Sequence, residues 1–246
     1  MIQSIKTYLG RHKTAFFRRV FPSYRRHRGD AAERSHWSNL FRSQEKLFSD
    51  PDFKNRANPN RQLQPEIAAL MPPGDSQPVV LDVGCGPLST VGITFDTGSI
   101  KLVGADPLAE DYRGFLERIN VSPNCELVSC AGQQLVAAFG PAKFDVVTSI
   151  NALDHSESPK EVFDQMVAVC KPGGFVYLFH AENEGLHERY YGMHQWNFRK
   201  ENGNLVANDG RKSVDFLYNL PNVTIHSEKT IPAAPRPLLE WIFHVQ

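Results

Sequence analysis

Val79-Val80-Leu81-Asp82-Val83-Gly84-Cys85-Gly86-Pro87 is the stretch that decides the fold. A short apolar run that stops on glycines reads as a strand buried on both faces, the kind that fills a parallel sheet. Gly84 and Gly86 carry no Cβ, so the backbone after the strand can turn sharply and approach a ligand closely. Working outward, Lys101-Leu102-Val103-Gly104-Ala105-Asp106 is a second strand that ends on a carboxylate, and residues 126–130, 144–150 and 175–179 supply a third, fourth and fifth. Residues 108–120 and 159–170 between them fit helices, the latter gathering Val162, Phe163, Met166, Val167 and Val169 on one side. Strands alternating with helices predict a doubly wound, mostly parallel α/β sheet.

Upstream of this core, Trp37, Leu40, Phe41, Leu47 and Phe48 recur at helical spacing over residues 31–48, with Asp50-Pro51 expected to close that helix and an Asn/Pro-rich loop to follow over 55–60. Pro65 marks the start of a short helix that Met71-Pro72-Pro73-Gly74 stops. The expected division is a basic helical extension or lid over residues 1–74 and a catalytic domain over 75–246. Downstream, Asn202-Gly203 predicts a tight hairpin, residues 215–220 a last helix, and residues 223–226 an antiparallel edge strand. Pro232, Pro235 and Pro237 make an extended connector before an aromatic tail with Trp241 and Phe243.

Composition sets the outer limits. The 246 residues are 41% hydrophobic and 22% charged, which excludes a disulfide miniprotein and a wholly disordered chain. Lys+Arg and Asp+Glu both number 27, yet residues 1–34 hold nine basic side chains against Asp30 and Glu33, so the rest of the chain is acidic. That basic segment, with Ile2, Ile5, Leu9, Phe16, Phe17 and Val20 among its cations, admits three readings: a solvated helix laid on the domain, a peripheral contact with anionic membrane or an acidic substrate, and an organelle transit peptide. The acidic remainder has no stacking stripe, so no nucleic-acid partner is expected. Cys85, Cys125, Cys130 and Cys170 form neither a zinc ribbon nor a disulfide framework, and no apolar run is long enough to span a bilayer; a cytoplasmic enzyme, with membrane association open, is expected.

The ligand site belongs beyond the carboxyl ends of the strands. Asp106 stands 20 residues after Gly86, at the end of the next strand, where its carboxylate can accept both hydroxyls of a ribose. The third glycine of the dinucleotide fingerprint is Ser89 here, and Pro87 intervenes, so NAD is the poorer fit.

Together with Val103-Gly104-Ala105-Asp106-Pro107, Asn151-Ala152-Leu153-Asp154-His155 and Cys170-Lys171-Pro172-Gly173-Gly174, the opening stretch resembles the motifs of the class I S-adenosylmethionine-dependent methyltransferases, in that family's order. The resemblance implies a seven-stranded Rossmann-like sheet and S-adenosyl-L-methionine as cofactor. Gly84, Cys85, Gly86 and Pro87 would then form the turn around the methionine moiety, with Asp82 behind it facing the amino group. Asp106 would hold the ribose, and Pro107 and Leu108 would flank the adenine. Many members place an acid against the adenine amino group; here that region reads Cys130-Ala131-Gly132-Gln133, so Gln133 or a backbone carbonyl takes the contact. Asn151 completes the cofactor set.

Methyl transfer from a sulfonium is an in-line displacement governed by positioning, and an alcohol or phenol acceptor must also lose a proton, for which histidine has the suitable pKa. His155, His180 and His194 follow the fourth and fifth strands and are the candidate catalytic residues, with Asp154 as an orienter. Glu182, Glu184 and His187 lie in the same region, but the spacings match no metal signature; these side chains are expected to line the acceptor pocket, and no metal is expected. Tyr190, Tyr191 and Trp196 either stack on an acceptor ring or pack as core. The expected reaction is O-methylation of a small molecule or glycan. The alternatives are N-methylation by proximity and a methyltransferase-like binding protein without turnover.

Overall fold

The computed structural model describes residues 22–246 except 75, 76, 97, 191 and 192, with side chains from residue 31 onward. The basic amphipathic segment over residues 2–24 therefore falls almost wholly outside the described residues, as does Tyr191.

The strands are β1 Val79–Val83, β2 Thr94–Phe95, β3 Gly98–Ser99, β4 Lys101–Asp106, β5 Glu126–Ser129, β6 Phe144–Ile150, β7 Cys170–Ala181, β8 Asn197–Glu201, β9 Asn204–Asn208, β10 Ser213–Asp215, β11 Val223–Ile231 and β12 Leu238–Val245. Seven of them form one sheet in the order β11-β12-β7-β6-β1-β4-β5. β5, β4, β1, β6 and β7 run parallel, whereas β12 is antiparallel to both its neighbours. The chain moves outward from β1 through β4 to β5, then returns to β6 on the other side of β1. The strand order thus reverses at β1, and the crevice at its carboxyl end is where ligands of open α/β sheets bind. This is the expected doubly wound, seven-stranded Rossmann-like architecture.

Local chemistry explains the helices. Ser158 caps Pro159–Val169 by accepting the Glu161 amide, with Pro159 at the first helical position. That helix turns Val162, Phe163, Met166 and Val167 onto the sheet. At the expected hairpin, Asn202 and Gly203 both take positive φ (50° and 86°), the geometry that matches strand twist. The same β8-β9 pair carries β10 to make a separate three-stranded sheet.

Four expectations need correction. Asp50-Pro51 closes one helix but also opens another, Pro51–Arg56, because the Asp50 side chain accepts the Asp52 amide as its cap. The fifth predicted strand begins at Cys170, earlier than expected, because Gly174 lets the chain lie against β6; a Cβ there would stand 2.6 Å from the Asp145 carbonyl oxygen. Residues 215–220 form no helix. The Phe216 amide donates to the Leu205 carbonyl at 3.1 Å, and the ring is fully buried against Phe163. The aromatic tail is in fact β12, inside the sheet, with Trp241 and Phe243 buried and stacked at 6.0 Å.

The extension is packed onto the sheet domain along its described length. Leu63, Ile67 and Leu70 share a core with Val80, Val146, Tyr177 and Ile242. The helix Pro22–Arg42 lays Trp37 and Phe41 on Tyr112 and Phe115 of the helix Ala109–Arg118, and Arg34 Nε pairs with Asp111 at 2.8 Å. No helix among the described residues is long and apolar enough to cross a membrane.

Trp241 is 1% exposed. Trp241→Ala should therefore lower the unfolding free energy by about 3–5 kcal/mol, whereas Tyr218→Ala, at a 67% exposed ring, should stay within about 0.5 kcal/mol; urea titrations followed by circular dichroism measure both.

Candidate active site

A cavity of about 390 Å³ opens at the carboxyl ends of β1, β4 and β6. Its wall includes Asp82, Gly84, Cys85, Gly86, Asp106, Pro107, Leu108, Gln133, Asn151 and His155. Of the residues expected to contact the cofactor, Pro87 alone is not on this wall.

The glycine turn is shaped by close approach. Gly84 has φ +75° and a Cβ there would overlap Ala152, while Gly86 has φ +64° and a Cβ there would stand 3.8 Å from the Trp37 indole. The Gly84 amide donates to the Ala105 carbonyl at 2.8 Å, and the Gly86 amide donates to Asp106 Oδ2 at 3.1 Å. Asp106 Oδ1 accepts the Leu108 amide at 2.9 Å. Burial pushes the Asp106 carboxyl up to about 6, because the two amide donors only partly offset desolvation and the Glu33 and Asp82 carboxylates add to it.

Asp82 is anchored just as firmly. Its Oδ2 accepts the Ser89 hydroxyl at 2.6 Å and its Oδ1 accepts the Thr148 hydroxyl at 3.0 Å. Burial raises its carboxyl above the usual range even so. Ser89, read from the sequence only as a missing glycine, is thus the side chain that orients Asp82, and its hydroxyl also accepts the Val91 amide. Asn151 holds positive φ at 52°, a conformation asparagine tolerates, at the end of β6.

The histidines divide. His155 is on the cavity wall, with Nε2 3.2 Å from His194 Nδ1 and Nδ1 3.8 Å from Glu33 Oε2. His194 stands behind it, its Nδ1 2.7 Å from Asp154 Oδ2 and 3.7 Å from Glu184 Oε1. Burial acts to lower the His194 pKa, but the Asp154 hydrogen bond and the nearby Glu184 and Glu188 charges lift it above the ordinary value. Asp154 is 1% exposed. Burial alone would raise its carboxyl, yet the His155 and His194 imidazoles hold it below the usual carboxylate range.

His180 is a correction to the catalytic set. It is 2% exposed, absent from the cavity wall and tilted against Phe198 at 4.7 Å, and neither ring nitrogen has a hydrogen-bond partner among the described residues. Burial depresses its pKa to about 4, so it is a neutral core imidazole. His187 is surface-exposed beside Glu188. Trp196 is core as well, 1% exposed with its indole N–H on the Ser156 carbonyl, so it does not stack on an acceptor. The Tyr190 hydroxyl accepts from Asn197 at 2.9 Å.

The sequence reading missed the outer wall. Glu33 and Trp37, from the helix Pro22–Arg42, line the cavity beside the glycine turn, and Glu33 Oε1 accepts the Trp37 indole N–H at 2.8 Å. Met193 and Gln195 add a second margin. Trp37 was legible only as one apolar residue in a helical pattern, and nothing local tied that helix to the site.

The fit to an adenosine-type cofactor rests on this geometry: a turn with two positive-φ glycines, one of them too close to Ala152 for a Cβ, beside a buried carboxylate able to accept ribose hydroxyls. Residues 81–178 match the protein-family model described as "Methyltransferase domain". The matched span carries the glycine turn, Asp106 and His155 of the cavity wall. Over 107 residues the chain is 32% identical to the ubiquinone biosynthesis O-methyltransferase of Paraburkholderia phymatum, covering 40% of this chain and 42% of that one. It is 31% identical over 138 residues to the enzyme of the same description from Albidiferax ferrireducens, covering 52% and 51%. The chain therefore spans between a third and about half of the length of the curated relatives it matches. Among solved structures it is similar to the 1,6-didemethyltoxoflavin-N1-methyltransferase of Burkholderia thailandensis, at 15% identity over 89% of this chain and 90% of that one, with a TM-score of 0.48.

A carboxylate that accepts two ribose hydroxyls must be ionised, and Asp106, the candidate for that contact, is faced by Glu33, Asp82, Tyr112 and Cys85. Protonation as pH falls through about 6 removes that acceptor. Affinity for S-adenosylhomocysteine should thus drop about tenfold between pH 7.5 and pH 5, and Asp106→Asn should bind weakly with no such pH profile. Calorimetry across the range would show a flat wild-type curve if Asp106 does not hold the nucleoside.

Proposed function

We propose that this protein transfers the methyl group of S-adenosylmethionine to an oxygen of a small molecule or glycan. The observation that carries the reading is that His155 shares a cavity wall with Gly84, Gly86 and Asp106, so a proton acceptor borders the cofactor cradle. When bound, the cofactor supplies an activated methyl on sulfonium sulfur. In the displacement the acceptor oxygen forms the new C–O bond as the C–S bond breaks, sulfur keeps the electron pair, and the hydroxyl proton must leave.

The chain's own residues arrange the rest. Asp82, clamped by Ser89 and Thr148, presents a fixed negative charge toward the methionine amino group. Asp106 holds the ribose and Gln133 borders the adenine end. Trp37 and Glu33 cover the cavity from the side of the helical extension, which limits water around the reacting atoms. His155 takes the acceptor proton, and the resulting imidazolium is steadied by Glu33 Oε2 at 3.8 Å and Asp154 Oδ2 at 3.6 Å. Support for oxygen over nitrogen comes from this imidazole, which an amine acceptor would not need, and from relatives described as O-methyltransferases.

The test supplies phenols, catechols and sugars with S-adenosylmethionine and measures release of S-adenosylhomocysteine. His155→Ala should lower turnover of the best acceptor by about 10²–10⁴-fold while leaving S-adenosylhomocysteine affinity within about twofold. Undiminished turnover in that variant removes the proton-acceptor role, and methylation confined to amines removes the oxygen reading.

A further inference from the structure

Three donor atoms converge beside the cavity: Asp154 Oδ2, His155 Nε2 and His194 Nδ1. Their separations are 2.7 Å for Asp154 to His194, 3.2 Å for His155 to His194 and 3.6 Å for Asp154 to His155. A triangle with those sides has a circumradius of about 1.9 Å, so a point about 2.1 Å from all three lies about 1 Å out of their plane. Ligand atoms on one face of a tetrahedral or octahedral ion are spaced about 3.0–3.4 Å apart at that bond length, and the three observed edges bracket this.

Hydrogen bonding alone satisfies the cluster poorly. His194 Nδ1 has one hydrogen or one lone pair, yet it stands within hydrogen-bond distance of both Asp154 Oδ2 and His155 Nε2. Asp154 Oδ1 is buried and has no hydrogen-bond partner among the described residues. An ion at the shared point would use all three lone pairs at once and leave Oδ1 as a further oxygen donor. Around it lie Glu33, near the other nitrogen of His155, and Glu184, which Arg236 holds beside His194. Carboxylates in such places orient ligating imidazoles.

We propose that Asp154, His155 and His194 form a two-histidine, one-carboxylate site for a divalent first-row transition ion, in which His155 is the ligand on the cavity wall. Imidazole donors favour zinc, iron or cobalt over magnesium and calcium. The chemical consequence rests on the methyl-transfer reading: an acceptor hydroxyl reaching an open position loses its proton more readily, and the histidines then serve by coordination.

The test strips the full chain with a chelator and titrates it with cobalt(II) and with zinc(II). Elemental analysis should return one ion per chain, and cobalt should give visible absorption bands of a nitrogen and oxygen donor set. His194→Ala should weaken binding by more than about 100-fold and Asp154→Asn similarly, with S-adenosylhomocysteine affinity as the control that each variant is folded. A folded wild type that takes up no stoichiometric ion overturns the site, as does His194→Ala binding cobalt as tightly as wild type. A chain that binds S-adenosylhomocysteine but no ion defeats this proposal alone, whereas one that binds the ion but no S-adenosylhomocysteine defeats the methyl-donor reading alone.

Discussion

A single buried carboxylate ties the cofactor cradle together. Asp106 accepts one amide from the glycine turn after β1 and one from the first residues beyond β4, so two loops from neighbouring strands are fixed to the same side chain. Desolvating a carboxylate for two neutral donors is costly, which is why its pKa climbs to about 6. The arrangement leaves the carboxylate's remaining lone pairs directed at the cavity. It also explains the glycines: with Asp106 drawing the Gly86 amide inward, the turn passes so close to Ala152 that position 84 has no room for a Cβ.

The parallel core was legible because its signals are local. Val79 to Val83 is apolar on both faces, and the switch to Gly84 and Gly86 marks where the strand stops and the ligand crevice begins. Asp106 could be assigned for the same reason, since the end of the second strand must lie beside the end of the first. What stayed hidden depends on contacts made across long sequence separations. Phe216 sits in a segment with helical composition but is drawn into β-like pairing by Leu205 and by the Phe163 ring. Trp241 and Phe243 look like a tail until β7 and β11 are seen on either side of them. His180 and His155 are equivalent in sequence terms, each just past a strand, yet one ring faces the core and the other the cavity.

The helical extension changes what the cavity can accept. Glu33 and Trp37 bring a carboxylate and an indole to the cavity wall beside the glycine turn, and Glu33 acts on both ends of the site, raising the Asp106 carboxyl and standing near His155. The Asp106 and His155 sides of the cavity therefore share one acidic neighbour. Anchoring by Phe41 on Phe115 and by Arg34 on Asp111 makes that neighbour a property of helix packing and not of the sheet.

The position of β12 bears on how the chain reaches this shape. β11 is synthesised first, but its hydrogen-bonding neighbour in the sheet is β12, which emerges from the ribosome later and must slot between β11 and β7. Until it does, β7 presents an unsatisfied edge and the Phe163 ring lacks its edge contact with Phe243. A nascent chain stalled before residue 238 would carry a sticky strand edge of the sort that chaperones shield.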